Sequence, residues 1–301
     1  MATPGFVQIQ CPICENVNDT EIFPARLFPD TFSPYAFSAR RARRREHYRI
    51  VRCNGCGLVR SNPILDPTQI QSLYEDSLFC YDSEVDFAAD TYVDLFLNLL
   101  SGRCRTGEME SILEIGCGNG FFLERAQQMG IPRVLGFEPS SECLLRASPS
   151  IRPHIINGVF RPELVQGQRF DVICSFHVID HLVNPRQTLN LLTRYMNVGG
   201  FMLLVCHDVE AWSARFLRTH SPIFDVEHIC LFSRDTLSLL VQRSGLRPLE
   251  VGLLTNRYPL GYWLRMAPLG NFFSRLLPKG VKERPVALRA GNLYMLAQRQ
   301  E

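Results

Sequence analysis

The sequence predicts an α/β fold in which a doubly wound, mostly parallel sheet follows a small N-terminal metal-binding module. Short apolar runs alternate with amphipathic segments between residues 111 and 206, which indicates the sheet. A glycine-rich turn, GCGNG at 116–120, follows the first of these runs. Two closely spaced cysteine pairs near the N-terminus indicate the module. The chain therefore divides into a module at 1–62 and a larger domain at 63–301.

The composition is that of an ordinary globular protein, with 46% hydrophobic and 21% charged residues among 301. The net charge of +2 is unevenly spread, because residues 1–60 carry nine arginines and five acids, a local balance of +4. The N-terminus shows no signal-peptide pattern, and no apolar run approaches the ~20 residues of a membrane-spanning helix. We therefore expect the eleven cysteines to be mostly free thiols and the location to be cytoplasmic.

Four cysteines form two Cys-x-x-Cys pairs, Cys11 with Cys14 and Cys53 with Cys56, separated by 38 residues. The two-residue gap lets one short loop present two thiolates to the same ion, so the four sulfurs suit tetrahedral zinc. Four thiolates without histidine form a closed site, which favours a structural metal over a catalytic one. The alternative is four unrelated buried thiols. The long spacing predicts an insertion between the two metal-binding knuckles.

That insertion contains an arginine-rich stretch, ARRARRREHYR at 39–49, with six arginines. Such a charge run is usually a solvated loop, and this is the favoured interpretation. A phosphate clamp stays open, because arginine binds phosphate in a bidentate way. A nucleic-acid surface stays open too, but only Tyr48 is close enough in sequence to stack on bases, so this partner is less favoured.

The middle of the chain is predicted to alternate between strands and helices, which places parallel strands in one sheet with helices on both faces. Ligands of such sheets lie beyond the carboxyl ends of the strands. The predicted strands are 111–115, 133–138, 154–158, 170–176 and 199–206. The predicted helices are 121–130, 141–147 and 182–196.

The glycine turn after the first strand predicts a nucleotide-type ligand, because glycines let the backbone approach a ligand closely. A dinucleotide fingerprint would read GxGxxG, but Phe121 stands at its third glycine position. The turn instead reads GxGxG, with Gly116, Gly118 and Gly120. Glu138 ends the next strand, where its two carboxylate oxygens suit a ribose diol.

Four ordered motifs, ILEIGCGNGFFL, GFEPS, FDVICSFHVIDHLVNP and NVGGFMLLV, resemble those of class I S-adenosylmethionine-dependent methyltransferases. The resemblance covers about residues 66–299. It implies a seven-stranded, Rossmann-like sheet that closes with an antiparallel hairpin of 246–254 and 292–299, and S-adenosylmethionine as the cofactor. The residues implied to form the cofactor site are Glu114, Gly116, Cys117, Gly118, Gly120, Glu138, Pro139, Asn157, Gly158, Ser175 and Phe176.

The same resemblance implies a role for several of these residues. The glycine turn lies against the methionine part of the cofactor, with Glu114 beneath it. Glu138 binds the ribose hydroxyls, and Asn157 with Gly158 matches the position that binds the adenine edge. Phe176 matches a residue that lines the cofactor.

The N-terminal pattern resembles a narrower group, the C-methyltransferases that modify nucleotide-linked deoxysugars. The shared features are CPIC…RCNGCGLVRSNP and a LYEDSLFCY segment before the methyltransferase motifs. Those enzymes carry a further C-terminal nucleotide-type domain, whereas this sequence ends at 301. That departure leaves the acceptor open.

Three histidines are candidates for handling the acceptor's proton, since histidine suits general-base work near neutral pH. His181 follows the fourth strand, and His177 would share its face if the turn between them were helical. The resemblance to the sugar enzymes implies catalytic roles for His228, Glu227, His181 and Tyr81. We predict that His228 is the acceptor's base or binder with Glu227 behind it. The alternative is that these histidines are structural.

A metal at Asp225, Glu227 and His228 is disfavoured, because an i, i+2, i+3 spacing converges poorly on one ion. Segment 224–232 is predicted as a loop over the cofactor's methyl group that enters a helix capped by Ser233. Residues 255–290 are predicted as a lid-like insertion, with weak membrane-surface contact through 255–280 as the alternative.

The predicted function is transfer of a methyl group from S-adenosylmethionine to a small metabolite, such as a sugar or a biosynthetic intermediate, with a histidine base. One alternative is an RNA or protein methyltransferase whose zinc module and arginine run bind the acceptor. Another is a binding protein that keeps the S-adenosylmethionine fold without catalysis. The sequence leaves the oligomeric state open.

Overall fold

The computed structural model describes residues 5–28, 31–37, 46–78, 85–104, 109–266 and 277–300. The described strands form a seven-stranded sheet, a four-stranded sheet and a two-stranded ribbon. The strands are β1 (Phe6–Val7), β2 (Asp19–Phe23), β3 (Ile50–Cys53), β4 (Val59–Ser61), β5 (Ile64–Leu65), β6 (Ser111–Ile115), β7 (Arg133–Glu138), β8 (Ile155–Asn157), β9 (Phe170–Phe176), β10 (Met196–His207), β11 (Cys230–Leu231), β12 (Leu246–Pro259) and β13 (Pro285–Arg299). The α-helices are α1 (Pro67–Glu75), α2 (Val85–Leu100), α3 (Phe121–Gln128), α4 (Ser141–Arg146), α5 (Pro185–Thr193), α6 (Trp212–Leu217), α7 (Arg234–Arg243), α8 (Leu260–Met266) and α9 (Lys279–Lys282).

The central sheet has the strand order β12-β13-β10-β9-β6-β7-β8. Strands β6 to β10 pair in parallel, and β13 lies antiparallel between β10 and β12. This confirms the predicted seven-stranded sheet with its closing antiparallel hairpin. The chain reverses its direction of travel through the sheet between β6 and β9, and ligands of such sheets bind at the carboxyl ends of strands at that point.

The main differences from the predicted boundaries lie at the closing hairpin. Strand β12 continues to Pro259 and β13 begins at Pro285, so both strands extend into the segment predicted as an insertion. Strand β10 begins at Met196, because its pairing with β9 spans a bulge between Met196 and Phe201. These extensions lack the alternation of apolar and polar residues that would predict a strand. They are strands because they pair with a neighbouring strand of the sheet.

The N-terminal module is an antiparallel sheet of β2, β3 and β4 that gains a fourth strand from a distant part of the chain. That strand, β11, lies in the segment predicted as a loop, so the prediction is wrong at Cys230 and Leu231, which pair with Arg60 and Val59. A two-residue strand carries no periodic signal. In the same sheet the buried Arg60 guanidinium donates hydrogen bonds of 2.8 and 3.0 Å to the Asp19 carboxylate.

Capping side chains define the starts of two helices that support the site. Asn184 caps α5, and Pro185 takes the first helical position. A backbone N–H at that position would have no acceptor within the helix, so proline loses no hydrogen bond there. Ser233 caps α7 in a capping box with Thr236, which confirms the predicted start of this helix. Gly245, with φ of 75°, follows its C-terminal end.

Two apolar layers cover the central sheet, one on each face. Successive side chains alternate between them, because Ile112 lies in one layer and Leu113 in the other, and Val172 and Ile173 repeat the pattern. Burial on both faces accounts for the nearly continuous apolar strands. Within the described ranges, no helix combines the length and apolar character needed to cross a membrane.

Candidate functional site

A cavity of about 1070 Å³ lies at the carboxyl ends of the central strands. Gly116 and Gly118 follow β6, Glu138 ends β7 and Phe176 ends β9, and all four line the cavity. His228, which precedes β11, lines the same cavity. One space therefore joins residues predicted for the cofactor with a residue predicted for the acceptor.

The glycine turn adopts a backbone that favours glycine at three positions. Gly116, Gly118 and Gly120 have φ values of 71°, 56° and 78°, in the left-handed region that other residues rarely adopt. A Cβ on Gly116 would lie 2.3 Å from Cγ2 of Val178, so the turn packs tightly against the segment after β9. The Gly116 N–H donates to the Phe137 carbonyl at 2.8 Å, which ties the turn to the end of β7.

Glu138 is a buried acid with a fixed orientation. Its Oε2 accepts a hydrogen bond from the Gly118 N–H and its Oε1 accepts one from the Ser140 N–H, both at 2.9 Å. Burial raises the pKa of Glu138, and these two donors act against that rise. Each carboxylate oxygen keeps a further lone pair, so the group fits two hydroxyls of a ribose.

The eleven residues predicted for the cofactor site divide into two sets. Those that line the cavity are Gly116, Gly118, Glu138, Pro139, Gly158 and Phe176. Those that do not line it are Glu114, Cys117, Gly120, Asn157 and Ser175. The Asn157 amide donates to the carbonyls of Glu138 and Pro139 at 3.0 and 3.2 Å, so it fastens the ends of β7 and β8. Burial, with the charge of Glu138, raises the pKa of Glu114 well above its usual range, which favours the neutral acid.

Phe176 forms part of an aromatic wall. Its ring stacks on Tyr92 of α2, with centroids 4.3 Å apart and an interplanar angle of 11°. It also meets the edge of Phe122 from α3 at 4.9 Å. Three elements therefore hold the ring, and its placement at the cavity fits the predicted lining role.

Four histidines and one acid form what we call the histidine cluster: His177, His181, His207, His228 and Asp180. The four histidines line the cavity, and Asp180 is fully buried beside them. The ring centroids of His181 and His228 are 4.7 Å apart, and those of His207 and His228 are 4.4 Å apart. His177 and His181 do not share a helical face, as they would if the turn between them were helical. His177 has a φ of 55°, and the segment from His177 to His181 forms a bend and a turn.

Asp180 organises this cluster from beneath. Its Oδ2 lies 2.5 Å from Nδ1 of His207 and accepts the His207 backbone N–H at 3.1 Å. Burial acts to raise the pKa of Asp180, but the neighbouring His207 holds it well below the usual range. Its backbone carbonyl accepts from the N–H groups of Ile229 and Cys230, both at 2.9 Å, so the turn containing Asp180 is fixed to the segment containing His228.

The carboxylate beside His228 is Asp225. Oδ1 of Asp225 lies 2.8 Å from Nδ1 of His228, and it accepts the backbone N–H groups of Glu227 and His228. Burial would lower the pKa of His228, but Asp225 outweighs burial and raises it to about 9. The predicted position of Glu227 behind His228 stays a prediction. The acid that lies against a ring nitrogen of His228 is Asp225.

His181 is held by a tyrosine from outside the α/β core. The Tyr74 hydroxyl of α1 lies 2.7 Å from Nδ1 of His181 and donates to the Glu227 carbonyl at 3.4 Å. Burial lowers the pKa of His181 to about 4, so this ring is neutral near pH 7. The predicted catalytic Tyr81 lies outside the described residues.

Five aromatic residues from α6, β12 and α8 line the cavity. Trp212 and Phe216 of α6 are 70% and 87% exposed and line the cavity. Tyr258, Tyr262 and Trp263 pack on one another and line it as well. The described parts of the 255–290 segment therefore contribute to the cavity wall, and its role as a lid stays a prediction.

The four paired cysteines converge, and all four sulfurs lie within 4.8 Å of one another. The two knuckles share one backbone pattern: the Glu15 N–H donates to the Cys11 carbonyl at 2.8 Å and the Gly57 N–H to the Cys53 carbonyl at 2.9 Å. Glu15 and Gly57 both have left-handed φ, of 62° and 81°. The spacing fits four bonds of ~2.3 Å to one zinc ion.

Sequence reasoning did not single out Asp180, His207 and Tyr74 as site residues. His207 had a usable signal, because a polar residue ends the apolar strand β10 at the ligand-binding edge of the sheet. Asp180 had a weaker signal within HVIDHL, between two histidines. Tyr74 had none, since only the packing of α1 against the loop of His228 places its hydroxyl.

The family model described as a methyltransferase domain matches residues 86–251, more than half of the chain. The tRNA U34 carboxymethyltransferase of Helicobacter hepaticus is 26% identical over 151 residues, which are 46% of each protein. The mitochondrial ubiquinone biosynthesis O-methyltransferase of Dictyostelium discoideum is 24% identical over 134 residues, 40% of each protein. The chain thus spans less than half the length of these curated relatives.

Solved structures of similar chains include two methyltransferases. The plantazolicin methyltransferase BpumL, in complex with a pentazolic desmethylPZN analog and SAH, is 19% identical with a TM-score of 0.49, covering 78% of this chain and 92% of that one. Coclaurine N-methyltransferase, bound to N-methylheliamine and SAH, is 14% identical with a TM-score of 0.46, covering 77% of this chain and 81% of that one.

Proposed function

Because the chain belongs to the methyltransferase domain family, we propose that it transfers a methyl group from S-adenosylmethionine to a small metabolite. One observation carries the proposal: a single cavity is lined by Gly116, Gly118 and Glu138 and also by His181 and His228. Its volume of about 1070 Å³ is at the upper limit of the ~300–1,000 Å³ typical of small-ligand pockets. This leaves room for a cofactor together with an acceptor.

The bound cofactor supplies an electrophilic methyl group on a sulfonium, so the protein's main tasks are alignment and exclusion of water. We assign the methionine part of the cofactor to the backbone of Gly116 and Gly118, and the ribose hydroxyls to the Glu138 carboxylate. Phe176, held between Tyr92 and Phe122, lines the cofactor. These assignments follow the walls of the cavity.

We assign the acceptor to the histidine cluster. His181 and His228 line the cavity, and outer partners hold one ring nitrogen of each, Tyr74 for His181 and Asp225 for His228. The other ring nitrogen of each is left for the acceptor: the neutral His181 can take its proton, whereas His228, whose raised pKa favours the charged ring, can donate a hydrogen bond to it. Glu227 also lines the cavity, where it adds negative charge near His228.

The acceptor we favour is a sugar or a biosynthetic intermediate with an ionisable hydroxyl or an acidic carbon–hydrogen bond. Histidines at the inner wall suit such a proton. The aromatic residues of the cavity wall, including Trp212, Phe216 and Trp263, suit a sugar face or an apolar ring. The narrower resemblance to sugar C-methyltransferases is compatible with these walls and forms part of this proposal.

We also propose that Cys11, Cys14, Cys53 and Cys56 bind one structural zinc ion. The convergence of their sulfurs and the matching backbone of the two knuckles support it. Burial raises the pKa of Cys11 to about 11 and that of Cys56 still higher, which disfavours thiolates in the absence of a nearby cation. The zinc would fix the module whose strand β4 pairs with β11, close to His228.

An RNA acceptor is the second candidate, because several of the curated relatives are tRNA U34 carboxymethyltransferases. A basic N-terminal region of +4 would assist such binding. Of the six arginines in 39–49, the structure describes Arg49, which donates to the Asn62 carbonyl and faces Glu21 at 3.5 Å. These contacts favour a role for Arg49 within the module, and the other five arginines lie outside the described residues. The small acceptor is the primary proposal because of the cavity.

A labelled methyl donor separates these candidates. The protein is incubated with S-adenosylmethionine labelled on its methyl group, together with a metabolite extract or with total RNA in parallel reactions. We expect label in the small-molecule fraction and little in RNA. Label that enters only RNA and is released by ribonuclease would favour the second candidate, and no transfer to either pool would contradict both.

A further inference from the structure

The histidine cluster contains a buried carboxylate oxygen that lies near a histidine ring nitrogen. Oδ1 of the fully buried Asp180 makes no hydrogen bond within the described part of the chain. It lies 3.8 Å from Nε2 of His181. The Tyr74 hydroxyl lies 2.7 Å from Nδ1 of His181, so Nε2 is the ring nitrogen that remains on the Asp180 side. In the tautomer protonated at Nδ1, Nε2 of the neutral ring offers a lone pair to a cation on that side.

His228 is arranged in the same way. Oδ1 of Asp225 lies 2.8 Å from its Nδ1 as an ion pair, which leaves Nε2 as the other ring nitrogen. One ligand atom each from Asp180, His181 and His228 lies within 4.8 Å of the other two. The segments are fixed to one another, since the Asp180 carbonyl accepts from Ile229 and Cys230. Two outer partners and three converging donors are the pattern that metal-binding histidines show.

We propose that Asp180, His181 and His228 bind a divalent first-row transition-metal cation at the acceptor side of the cavity. Two imidazoles and one carboxylate form a donor set that suits zinc, iron, cobalt or manganese. The 3.8 Å between Oδ1 of Asp180 and Nε2 of His181 is within the ~4.2 Å that two metal–ligand bonds of ~2.1 Å can span. A cation there satisfies the carboxylate oxygen that lacks a hydrogen bond.

A second grouping, His177 with Asp180 and His207, also has its donor atoms within 4.8 Å of one another but is the poorer site. Oδ2 of Asp180 already interacts with Nδ1 and the backbone N–H of His207, at 2.5 and 3.1 Å. That oxygen is therefore satisfied, whereas Oδ1 is not. His207 acts as an outer partner that orients Asp180, and the cation belongs on the His181 side.

The proposed cation would have three protein ligands, which leaves coordination positions directed into the cavity. His181 and His228 both line that space. An acceptor oxygen, from a hydroxyl, an enol or a carboxylate, is the group that such an open position takes. This consequence for the acceptor rests on the proposed function, whereas cation binding itself does not.

Cobalt(II) uptake by the 301-residue protein tests the site without any acceptor or methyl donor. Thiolate-to-cobalt charge-transfer absorption reports the cysteine site, and cobalt bound without it reports a nitrogen and oxygen site. For the wild type we expect about two cobalt ions per chain, one at the cysteine site and one at the nitrogen and oxygen site. Asp180→Asn and the double variant His181→Gln/His228→Gln should lose only the cobalt at the nitrogen and oxygen site. Asp225→Asn, which removes an outer partner, should weaken cobalt binding at this site about 10–100-fold.

His220→Gln is the matched control, because this exposed histidine lies outside the cluster, and it should retain wild-type uptake. Titration with S-adenosylmethionine checks that the variants keep the fold. The proposal is overturned if wild-type protein binds cobalt only with thiolate absorption. It is also overturned if the folded Asp180→Asn variant and the wild type bind equal amounts of cobalt that gives no thiolate absorption. Absence of methyl transfer alone would count against the proposed function and leave this result unaffected.

Discussion

The two parts of the cavity are built in different ways. The part that we assign to the cofactor depends on backbone: Gly116 and Gly118 line the cavity, and backbone N–H groups fix Glu138. The part that we assign to the acceptor consists of side chains from four distant segments, with Tyr74 from α1, the turn after β9, the end of β10 and the segment before β11. A contiguous motif therefore specifies the first part, whereas tertiary packing specifies the second.

The N-terminal module is coupled to the part of the cavity that we assign to the acceptor. Strand β4 of the module pairs with β11, and the Ser61 hydroxyl of β4 donates to the His228 carbonyl at 3.1 Å. The Ser61 N–H donates to the Ile229 carbonyl at 2.9 Å. The glycine turn is instead tied to the end of β7, where the Gly116 N–H donates to the Phe137 carbonyl. Changes in the two regions should therefore affect acceptor handling and cofactor binding separately.

The largest expected effect follows from removing the cysteine site. In Cys11→Ser/Cys53→Ser we expect loss of bound zinc and unfolding of the module, because a structural zinc contributes ~10–16 kcal/mol to folding in small zinc domains. Metal analysis and limited proteolysis check this outcome. Methyl transfer should be lost while S-adenosylmethionine still binds. Cys104→Ser, at a cysteine outside the site, should retain zinc, and a zinc-free wild-type protein would contradict the assignment.

Substituting the two inner histidines should separate turnover from cofactor binding. For His228→Gln and His181→Gln we expect methyl transfer to fall about 10²–10⁴-fold, the usual contribution of a positioned proton-handling group. The affinity for S-adenosylmethionine should stay close to that of the wild type. Single-turnover rates with the acceptor found by label transfer, together with calorimetry, measure the two quantities. Full turnover in both variants would mean that the histidine cluster has a structural role and does not take part in methyl transfer.

Gly116→Ala tests the cofactor part through the backbone. The new Cβ would lie 2.3 Å from Val178 Cγ2 at a φ of 71°, so the turn has to move. We expect S-adenosylmethionine affinity to fall about 100-fold, or ~2.7 kcal/mol. Gly130→Ala is the control, since its φ of 91° imposes a similar backbone cost while nothing lies within 4 Å of its Cβ. Equal effects of both substitutions on affinity would mean that the turn does not contact the cofactor.

Glu138→Gln should give the smallest of these effects. The amide keeps the shape of the carboxylate but places an NH₂ group against the Gly118 or Ser140 N–H, so one donor loses its acceptor. We expect about 10-fold weaker S-adenosylmethionine binding, the size of one hydrogen bond to a charged group. Calorimetry measures it, with Glu142→Gln of α4 as the control. Unchanged affinity would exclude Glu138 as the ribose ligand.

The sequence allowed prediction of the central sheet and its glycine turn because both depend on local patterns. Apolar runs define β6, β7 and β9, and left-handed backbone at Gly116, Gly118 and Gly120 is what glycine permits. The Cys-x-x-Cys spacing likewise placed each pair of sulfurs within one knuckle.

Other features had no local pattern. Strand β11 exists only because β4 lies beside it. The pairing of Asp225 with His228 depends on the turn that returns backbone N–H groups to the Asp225 carboxylate. The contact between Tyr74 and His181 joins residues 107 positions apart, a distance that only the completed fold specifies.

Titration of the unmodified protein with S-adenosylmethionine tests the central claim most directly. We predict binding of about one cofactor per chain, competition by the demethylated product, and a large loss of affinity in Gly116→Ala but not in Gly130→Ala. No binding by folded wild-type protein, or binding that the two alanine variants retain equally, would contradict the assignment of this cavity to a methyl donor.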